Sequence, residues 1–108
     1  MFFDEIIFRN ELNILKYIWK FKKLWINKIC KIASTKGKLE ILKWARENGC
    51  PWNEDSCSNA AKRGYFEILK WLRENNCPWD VFTCAYAANR GHLEILKWLR
   101  ENGCPWGS

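Results

Sequence analysis

Apolar side chains recur along the chain at intervals of three and four residues, which is the spacing of one face of an α-helix. In residues 92–101 this apolar stripe consists of Ile95, Leu96, Trp98 and Leu99. A shorter stripe precedes it at Cys84, Ala87 and Ala88. Gly91 lies between the two stripes, where it can end the first helix in a left-handed turn. No segment alternates with the two-residue period of a β-strand, so the pattern predicts short helix pairs.

The same pattern returns every 27 residues. The segment Ile-Leu-Lys-Trp occurs at 41–44, 68–71 and 95–98, and Cys-Pro-Trp occurs at 50–52, 77–79 and 104–106. Residues 53–79 and 80–106 are identical at 17 of 27 positions. A period of this length indicates tandem structural repeats. We therefore predict an all-α fold, an α-solenoid in which each stacked helix-turn-helix unit contacts only its neighbours.

The chain of 108 residues has room for a single domain. The predicted parts of this repeat domain are a degenerate N-terminal half-repeat or cap (1–25), three repeats (26–52, 53–79 and 80–106) and a short tail (107–108). Within a repeat, Asp80 is placed to cap the first helix. Asn76 replaces a glycine at the end of a second helix, and Asn tolerates positive φ better than most residues.

The segment 83–97 resembles the ankyrin repeat in its paired Ala87-Ala88, its Gly91-His92 and its Lys97. The tetrapeptide Thr-Pro-Leu-His of that family is not preserved. The unit is also about six residues shorter than the usual 33, and the missing residues belong to the β-hairpin finger. The chain resembles the short, finger-less ankyrin-like repeats with a Cys-Pro-Trp signature, found in large DNA viruses and some protists. That resemblance implies a non-enzymatic module that binds a protein partner, which would be a host protein if the chain is viral.

The composition is unusual in its eight Trp and six Cys. Seven of the Trp fall in the repeat frame, which favours a structural role between adjacent repeats over a stacking surface for nucleic-acid bases. All six Cys fall in the same frame. Equivalent Cys in neighbouring repeats should be too far apart for a disulfide, because packed helices lie ~8–10 Å apart. Buried free thiols are therefore favoured over a disulfide or metal site, and no metal and no cofactor is predicted.

Catalysis and membrane insertion find little support in the sequence. His92 is the single histidine, and Lys38 and Tyr65 occupy its position in the other repeats. We interpret it as a helix-start capping or surface residue and predict that the protein is not an enzyme. No signal peptide and no stretch of ~20 apolar residues is present. The expected location is intracellular and soluble, in the host cytoplasm if the protein is viral.

A candidate partner-binding surface follows from the positions at which the repeats differ. Nearly all of these positions lie on the first helices or at the start of the second helices. The candidate residues are Glu54, Asp55, Asn59, Lys62, Val81, Phe82, Tyr86, Asn89 and His92. Tyr86 is a plausible centre of binding energy, since tyrosine is enriched at such positions. The alternative is that these positions vary only because they face solvent.

The net charge of +6 belongs to residues 1–52, because residues 53–108 hold seven basic and seven acidic residues. Residues 16–38 contain a run of lysines with no acid. These residues form a candidate basic patch: Lys16, Lys20, Lys22, Lys23, Lys28, Lys31, Lys36 and Lys38. The patch suggests an alternative function as a binder of nucleic acid or an anionic membrane surface. A solvated N-terminal cap would explain the same lysines.

The last repeat keeps the full apolar pattern, including Ile95, Leu99 and Trp106, and no polar capping unit follows it. We expect its outer face to expose apolar surface. Either the chain belongs to a longer array, in which it could have a purely structural role, or this face packs against another molecule. For the second case we predict self-association through the C-terminal repeat.

Overall fold

A computed structural model describes residues 12–19 and 26–106 of the chain. These residues form seven α-helices and no β-strand. The helices are α1 (Leu12–Trp19), α2 (Ile26–Lys36), α3 (Leu39–Glu47), α4 (Glu54–Arg63), α5 (Phe66–Glu74), α6 (Val81–Asn89) and α7 (Leu93–Glu101). None of the described helices is long and apolar enough to cross a membrane.

The chain divides into two compact units, residues 1–51 and 52–108. In the first unit, α2 packs against α3. The two helices bury the apolar positions that the three- and four-residue spacing predicts, namely Ile29, Cys30, Ala33, Ile41, Leu42 and Ala45. The connection between them is only two residues long, and such short connections join antiparallel neighbours.

The second unit contains two helix pairs, α4 with α5 and α6 with α7, and α4 also packs against α6. The first helices contact one another through small side chains. Ala60 and Ala87 are fully buried, which allows the two backbones to approach closely. Each second helix buries larger residues on its inner face, including Leu72 and Leu99. The predicted stacked helix pairs are therefore confirmed for residues 53–106.

The ends of the helices follow the predicted chemistry. The carboxylate of Asp80 accepts a hydrogen bond of 3.0 Å from the backbone N–H of Phe82, and Asn53 caps α4 in the same way. At the other end of α4, Gly64 has φ +79°. Asn76 has φ 65° and is the only non-glycine residue with positive φ among those described. The structure confirms that Asn76 adopts the left-handed conformation of the glycine it replaces.

The Cys-Pro-Trp turn is held by side chains of its own repeat. The guanidinium of Arg73 donates a hydrogen bond of 2.6 Å to the carbonyl oxygen of Cys77 and lies 3.9 Å from the ring centroid of Trp79. The thiol of Cys77 is 3.5 Å from the carbonyl oxygen of Asn53, to which it donates. These contacts tie the end of α5 to the start of α4. They explain why Arg, Cys and Trp do not vary between the two repeats.

Within the second unit, Trp79 and Trp98 lie between successive repeats, as predicted, and Trp52 contacts Trp71 edge to face. The rings of Trp79 and Trp98 meet edge to face with centroids 6.3 Å apart, and Phe66 lies 5.8 Å from Trp98 on another side. Trp106 differs, because 61% of its surface is exposed. No helix in the described residues follows α7 to cover it. Trp25 lies outside the described residues.

All six cysteines are buried, and none of them forms a disulfide bond. The close contacts join the Cys of a first helix to the Cys that follows the second helix of the same repeat. The sequence prediction considered only the distance between equivalent Cys of neighbouring repeats and so did not include these contacts. Thus the backbone N–H of Cys30 is 3.1 Å from the sulfur of Cys50. Burial, together with a hydrogen bond to Cys84, raises the pKa of the Cys104 thiol to about 12. The pKa of Cys57 is raised by its hydrogen bond to Cys77 and by burial.

One expected core position is exposed. The sequence places Ala88 on the inner face of α6 with Cys84 and Ala87, and only the latter two are buried. The equivalent Ala61 of the preceding repeat is fully buried. The reason is that α6 packs against α4, whereas no further first helix follows α6 in the described residues.

Candidate functional site

The residues that differ between the repeats lie largely on the exposed side of the first helices. Five of the nine predicted partner-binding residues are exposed: Glu54, Asp55, Val81, Phe82 and Asn89. The other four, Asn59, Lys62, Tyr86 and His92, are half-buried. The exposed fraction of Phe82 is 56%, which is large for an aromatic side chain. Side chains of this kind are therefore available to a partner.

Three of these residues form a continuous cluster across α4 and α6. The ammonium of Lys62 lies 5.2 Å from the ring centroid of Tyr86, within the range of a cation–π contact. The ring of Phe82 is 6.1 Å from that of Tyr86 and tilted by 30°. The first helices of two repeats thus contribute to one surface, which combines two aromatic rings with a positive charge.

The acidic members of the predicted surface are not part of that cluster. Glu54 and Asp55 occupy the first turn of α4, whereas Lys62 and Arg63 occupy its last turn. A helix of this length is ~15 Å long, so the two charged groups are well separated. Acid at the N-terminal end and base at the C-terminal end also match the helix dipole. The exposed surface of α4 is consequently bipolar.

His92 lies against the preceding repeat. Its Nε2 atom is 3.1 Å from the carbonyl oxygen of Lys62, to which Nε2–H can donate. A Cβ atom at Gly64 would come within 2.8 Å of the imidazole ring. His92 lies at the start of α7, as predicted, but its side chain makes no capping hydrogen bond. In the structure the half-buried ring joins two successive repeats.

A cavity of about 480 Å³ opens beside this contact. Its lining residues are Lys62, Arg63, Tyr65, Arg90 and His92. Three of them are cations, and none is an acid. Sequence reasoning missed Arg63 and Arg90, because the search for a surface used only positions that differ between repeats. The sequence does mark this position in another way, because the equivalent residue is basic in all three repeats: Lys36, Arg63 and Arg90.

The basic patch is described in part. Lys16, Lys28 and Lys31 are exposed, whereas Lys36 and Lys38 are half-buried. Lys28 and Lys31 are three residues apart on α2 and so share one face of that helix. Lys20, Lys22 and Lys23 lie outside the described residues.

Among the described residues, no three side chains of His, Cys, Asp or Glu converge in a way that could hold a metal ion. His92 and Thr83 do not form a nucleophile–base pair, since His92 Nε2 contacts the Lys62 carbonyl and the Thr83 hydroxyl is buried without a hydrogen-bond partner.

Residues 57–100 match the family model for ankyrin repeats (many copies). This segment extends from the middle of α4 to the end of α7 and so covers most of both helix pairs of the second unit. No curated protein is similar enough in sequence to match. Ankyrin repeats are generally protein–protein interaction modules without enzymatic activity. Residues 57–100 are therefore similar to ankyrin repeats, and the stacked helix pairs α4–α5 and α6–α7 occupy the same part of the chain.

Proposed function

We propose that the protein binds a protein partner through the variable surface of its first helices. One observation carries this proposal: a constant scaffold displays a changing surface. The helices α5 and α7 have the same sequence except for Phe66 and Leu93, at their first position. The helices α4 and α6 instead share only one cysteine and two alanines, while most of the differing residues are exposed or half-buried.

The centre of the proposed surface is the cluster of Lys62, Phe82 and Tyr86. Aromatic residues at the middle of an interface often supply a large part of the binding energy, because they bury much area and lose little conformational freedom. The cation–π contact of Lys62 holds the Tyr86 ring in place before a partner arrives. Such preorganisation lowers the entropic cost of binding.

The test is affinity capture from cell lysate with three proteins: the wild type, the double variant F82A/Y86A and a control double variant Y17A/W106A. The control also removes two exposed aromatic side chains, of which 66% and 61% of the surface is accessible, and both lie outside the cluster. We expect the F82A/Y86A variant to lose proteins that the wild type and the control both retain. Identical capture by all three folded proteins would reject the proposed surface.

A second candidate function is binding of nucleic acid or an anionic membrane through the lysines of residues 16–38. It is supported by the exposure of Lys28 and Lys31 on one face of α2. Binding of this kind depends strongly on salt, because it releases counterions. Replacing both lysines by Gln should weaken binding to heparin at low salt. If affinity is the same in the variant, α2 does not carry this function.

Two further expectations accompany the proposal. The partner would be a host protein if the resemblance to viral repeats extends to the origin of the chain. Six buried thiols suit a reducing, intracellular compartment.

Self-association through the last repeat is supported by the exposure of Leu93 and Trp106. Sedimentation at increasing concentration tests it, and a monomer throughout would contradict it.

A further inference from the structure

We propose that the cavity lined by Lys62, Arg63 and Arg90 binds carboxylates, so that the partner segment on this surface is an acidic peptide. The inference rests on the proposed function, whose partner it narrows to a chemical class. It starts from the distribution of charge. Residues 53–108 contain seven basic and seven acidic residues, yet three of the basic ones and none of the acidic ones line this cavity.

The two arginines of the cavity are available for a ligand. Arg63 and Arg90 are both exposed, and neither forms an ion pair or side-chain hydrogen bond with any described residue. Other arginines of the same unit are engaged: Arg73 bonds Cys77 and stacks on Trp79, and Arg100 stacks on Trp106. The free guanidinium groups are thus a property of this cavity and not of the arginines in general.

These cations lie at the C-terminal ends of α4 and α6, where a positive charge interacts favourably with the helix dipole. This interaction explains the presence of one cation at each helix end. It does not account for three cations around one opening, where they repel one another. A bound anion would remove that repulsion. A guanidinium group offers two parallel N–H donors that match the two oxygens of a carboxylate. Tyr65, in the same lining, adds a hydroxyl group that can also donate.

An acidic peptide fits the surroundings better than a nucleic acid. A nucleic-acid strand carries a phosphate at every nucleotide, and a strand lying along α4 would meet Glu54 and Asp55, both exposed, ~15 Å from the cavity. A peptide can place its carboxylates at the cavity alone. It can also place apolar side chains on Phe82 and Tyr86, which adjoin the cavity through the contact of Lys62 with Tyr86.

A second, smaller opening favours a peptide that carries both acidic and apolar side chains. It has a volume of about 300 Å³, and its lining residues include Phe66, His92, Leu93 and Ile95. It shares His92 with the basic cavity, so an apolar site adjoins the charged one. Glu94 also lines this opening, which disfavours an acidic side chain there.

The experiment measures fluorescence anisotropy of a labelled hexaglutamate peptide with the full 108-residue chain, at about 50 mM and about 200 mM salt. The test variant is R63Q/R90Q. The control is K43Q/K97Q, which makes the same change in net charge on second helices. We expect the affinity for hexaglutamate to fall about tenfold in the test variant and less than about twofold in the control, because only the test variant removes bidentate donors. Circular dichroism verifies that both variants keep their helices.

Several outcomes would overturn the inference. Equal losses in the two variants would mean that binding follows net charge alone, and no measurable binding at about 50 mM salt would mean that the cavity takes no carboxylate. A single-stranded hexanucleotide that binds more tightly than hexaglutamate, with the same dependence on Arg63 and Arg90, would assign the cavity to nucleic acid.

Comparison with the capture experiment separates this inference from the proposed function. If F82A/Y86A loses a captured protein that R63Q/R90Q retains, the first-helix surface binds a partner and the carboxylate inference fails. If hexaglutamate binding depends on Arg63 and Arg90 while F82A/Y86A captures the same proteins as the wild type, the cavity is confirmed and the proposed aromatic surface is rejected.

Discussion

The Nε2 atom of His92 lies 3.1 Å from the backbone carbonyl oxygen of Lys62, one repeat earlier in the chain. The single histidine therefore links two repeats at the edge of the basic cavity. Its ring occupies the space next to Gly64, where a side chain would collide with it. A change at either residue should alter the way in which one repeat meets the next.

Replacement of Gly64 by Ala should destabilise the protein more than the same change at Gly91. Both glycines have left-handed φ, at +79° and +74°, so both variants incur a backbone strain of roughly 1–2 kcal/mol. Only at Gly64 would the new Cβ displace the His92 ring, and the lost hydrogen bond costs about a further 1 kcal/mol. Urea unfolding measures both variants. Equal losses would show that the His92 contact contributes nothing.

The N-cap of α6 should tolerate asparagine but not alanine. The side chain of Asp80 accepts a hydrogen bond from the N–H of Phe82, and Asn53 does the same for Asp55 in the preceding repeat. We expect the Asp80→Ala variant to lose ~1 kcal/mol of stability and the Asp80→Asn variant to lose only a few tenths. Thermal unfolding followed by circular dichroism distinguishes them. Comparable losses would indicate that charge, and not the hydrogen bond, stabilises this helix end.

Replacement of Thr83 by Val should increase stability by ~1 kcal/mol. The hydroxyl of Thr83 is fully buried and has no hydrogen-bond partner among the described residues, so its desolvation is not compensated. Valine has nearly the same shape and a similar helix propensity. The matched control is Thr35→Val, since the Thr35 hydroxyl donates to the Lys31 carbonyl at 2.8 Å. Chemical unfolding should rank the Thr83 variant above the wild type and the Thr35 variant at or below it.

Loss of Trp98 should be much more damaging than loss of Trp106. The Trp98 ring contacts both Phe66 and Trp79, whereas most of Trp106 is exposed. Since Trp98 is half-buried, we expect the Trp98→Ala variant to lose roughly 2–4 kcal/mol, somewhat less than for a fully buried ring. The Trp106→Ala variant should lose less than about 1 kcal/mol. Differential scanning fluorimetry compares the two, and similar melting temperatures would contradict the role assigned to Trp98.

Stability should decline above pH 9 because of the buried thiols. The pKa of Cys104 is raised from 9.0 to about 12 in the folded protein, chiefly by burial. Above pH 9 the unfolded chain releases a proton that the folded chain retains, so unfolding becomes more favourable up to pH 12 and is unaffected well below pH 9. The slope of unfolding free energy against pH should be smaller in the Cys104→Ala variant. An identical slope would show that this thiol does not contribute.

Much of the fold can be predicted from the sequence because it depends on local chemistry. The caps at Asn53 and Asp80 and the left-handed turns at Gly64 and Asn76 each follow from residues within one or two turns of helix. The placement of Trp79 and Trp98 between repeats follows from their fixed position in the 27-residue frame. Repetition makes these signals strong, since each one is seen more than once.

The candidate site is less predictable because it depends on stacking. The sequence identifies Lys62 and Tyr86 as differing positions, but their contact depends on the relative rotation of α4 and α6. Arg63 and Arg90 do not differ between repeats, so a search based on differences passes over them. Their convergence on one cavity follows from the spacing of the two first helices, which no sequence pattern specifies. Ala88 shows the same dependence: its burial is set by a neighbouring helix and not by its own.

The contact of His92 with Lys62 spans 30 residues, and that of Trp79 with Trp98 spans 19. Each contact therefore closes a loop of roughly the length of one repeat. The same loop length would recur in a longer array of such repeats. Because the entropy of closing a loop grows slowly with its length, each added repeat incurs a similar cost. Folding can then begin in one helix pair and spread to the next, at a rate typical of chains with low contact order. The time needed to fold should rise only slightly as repeats are added.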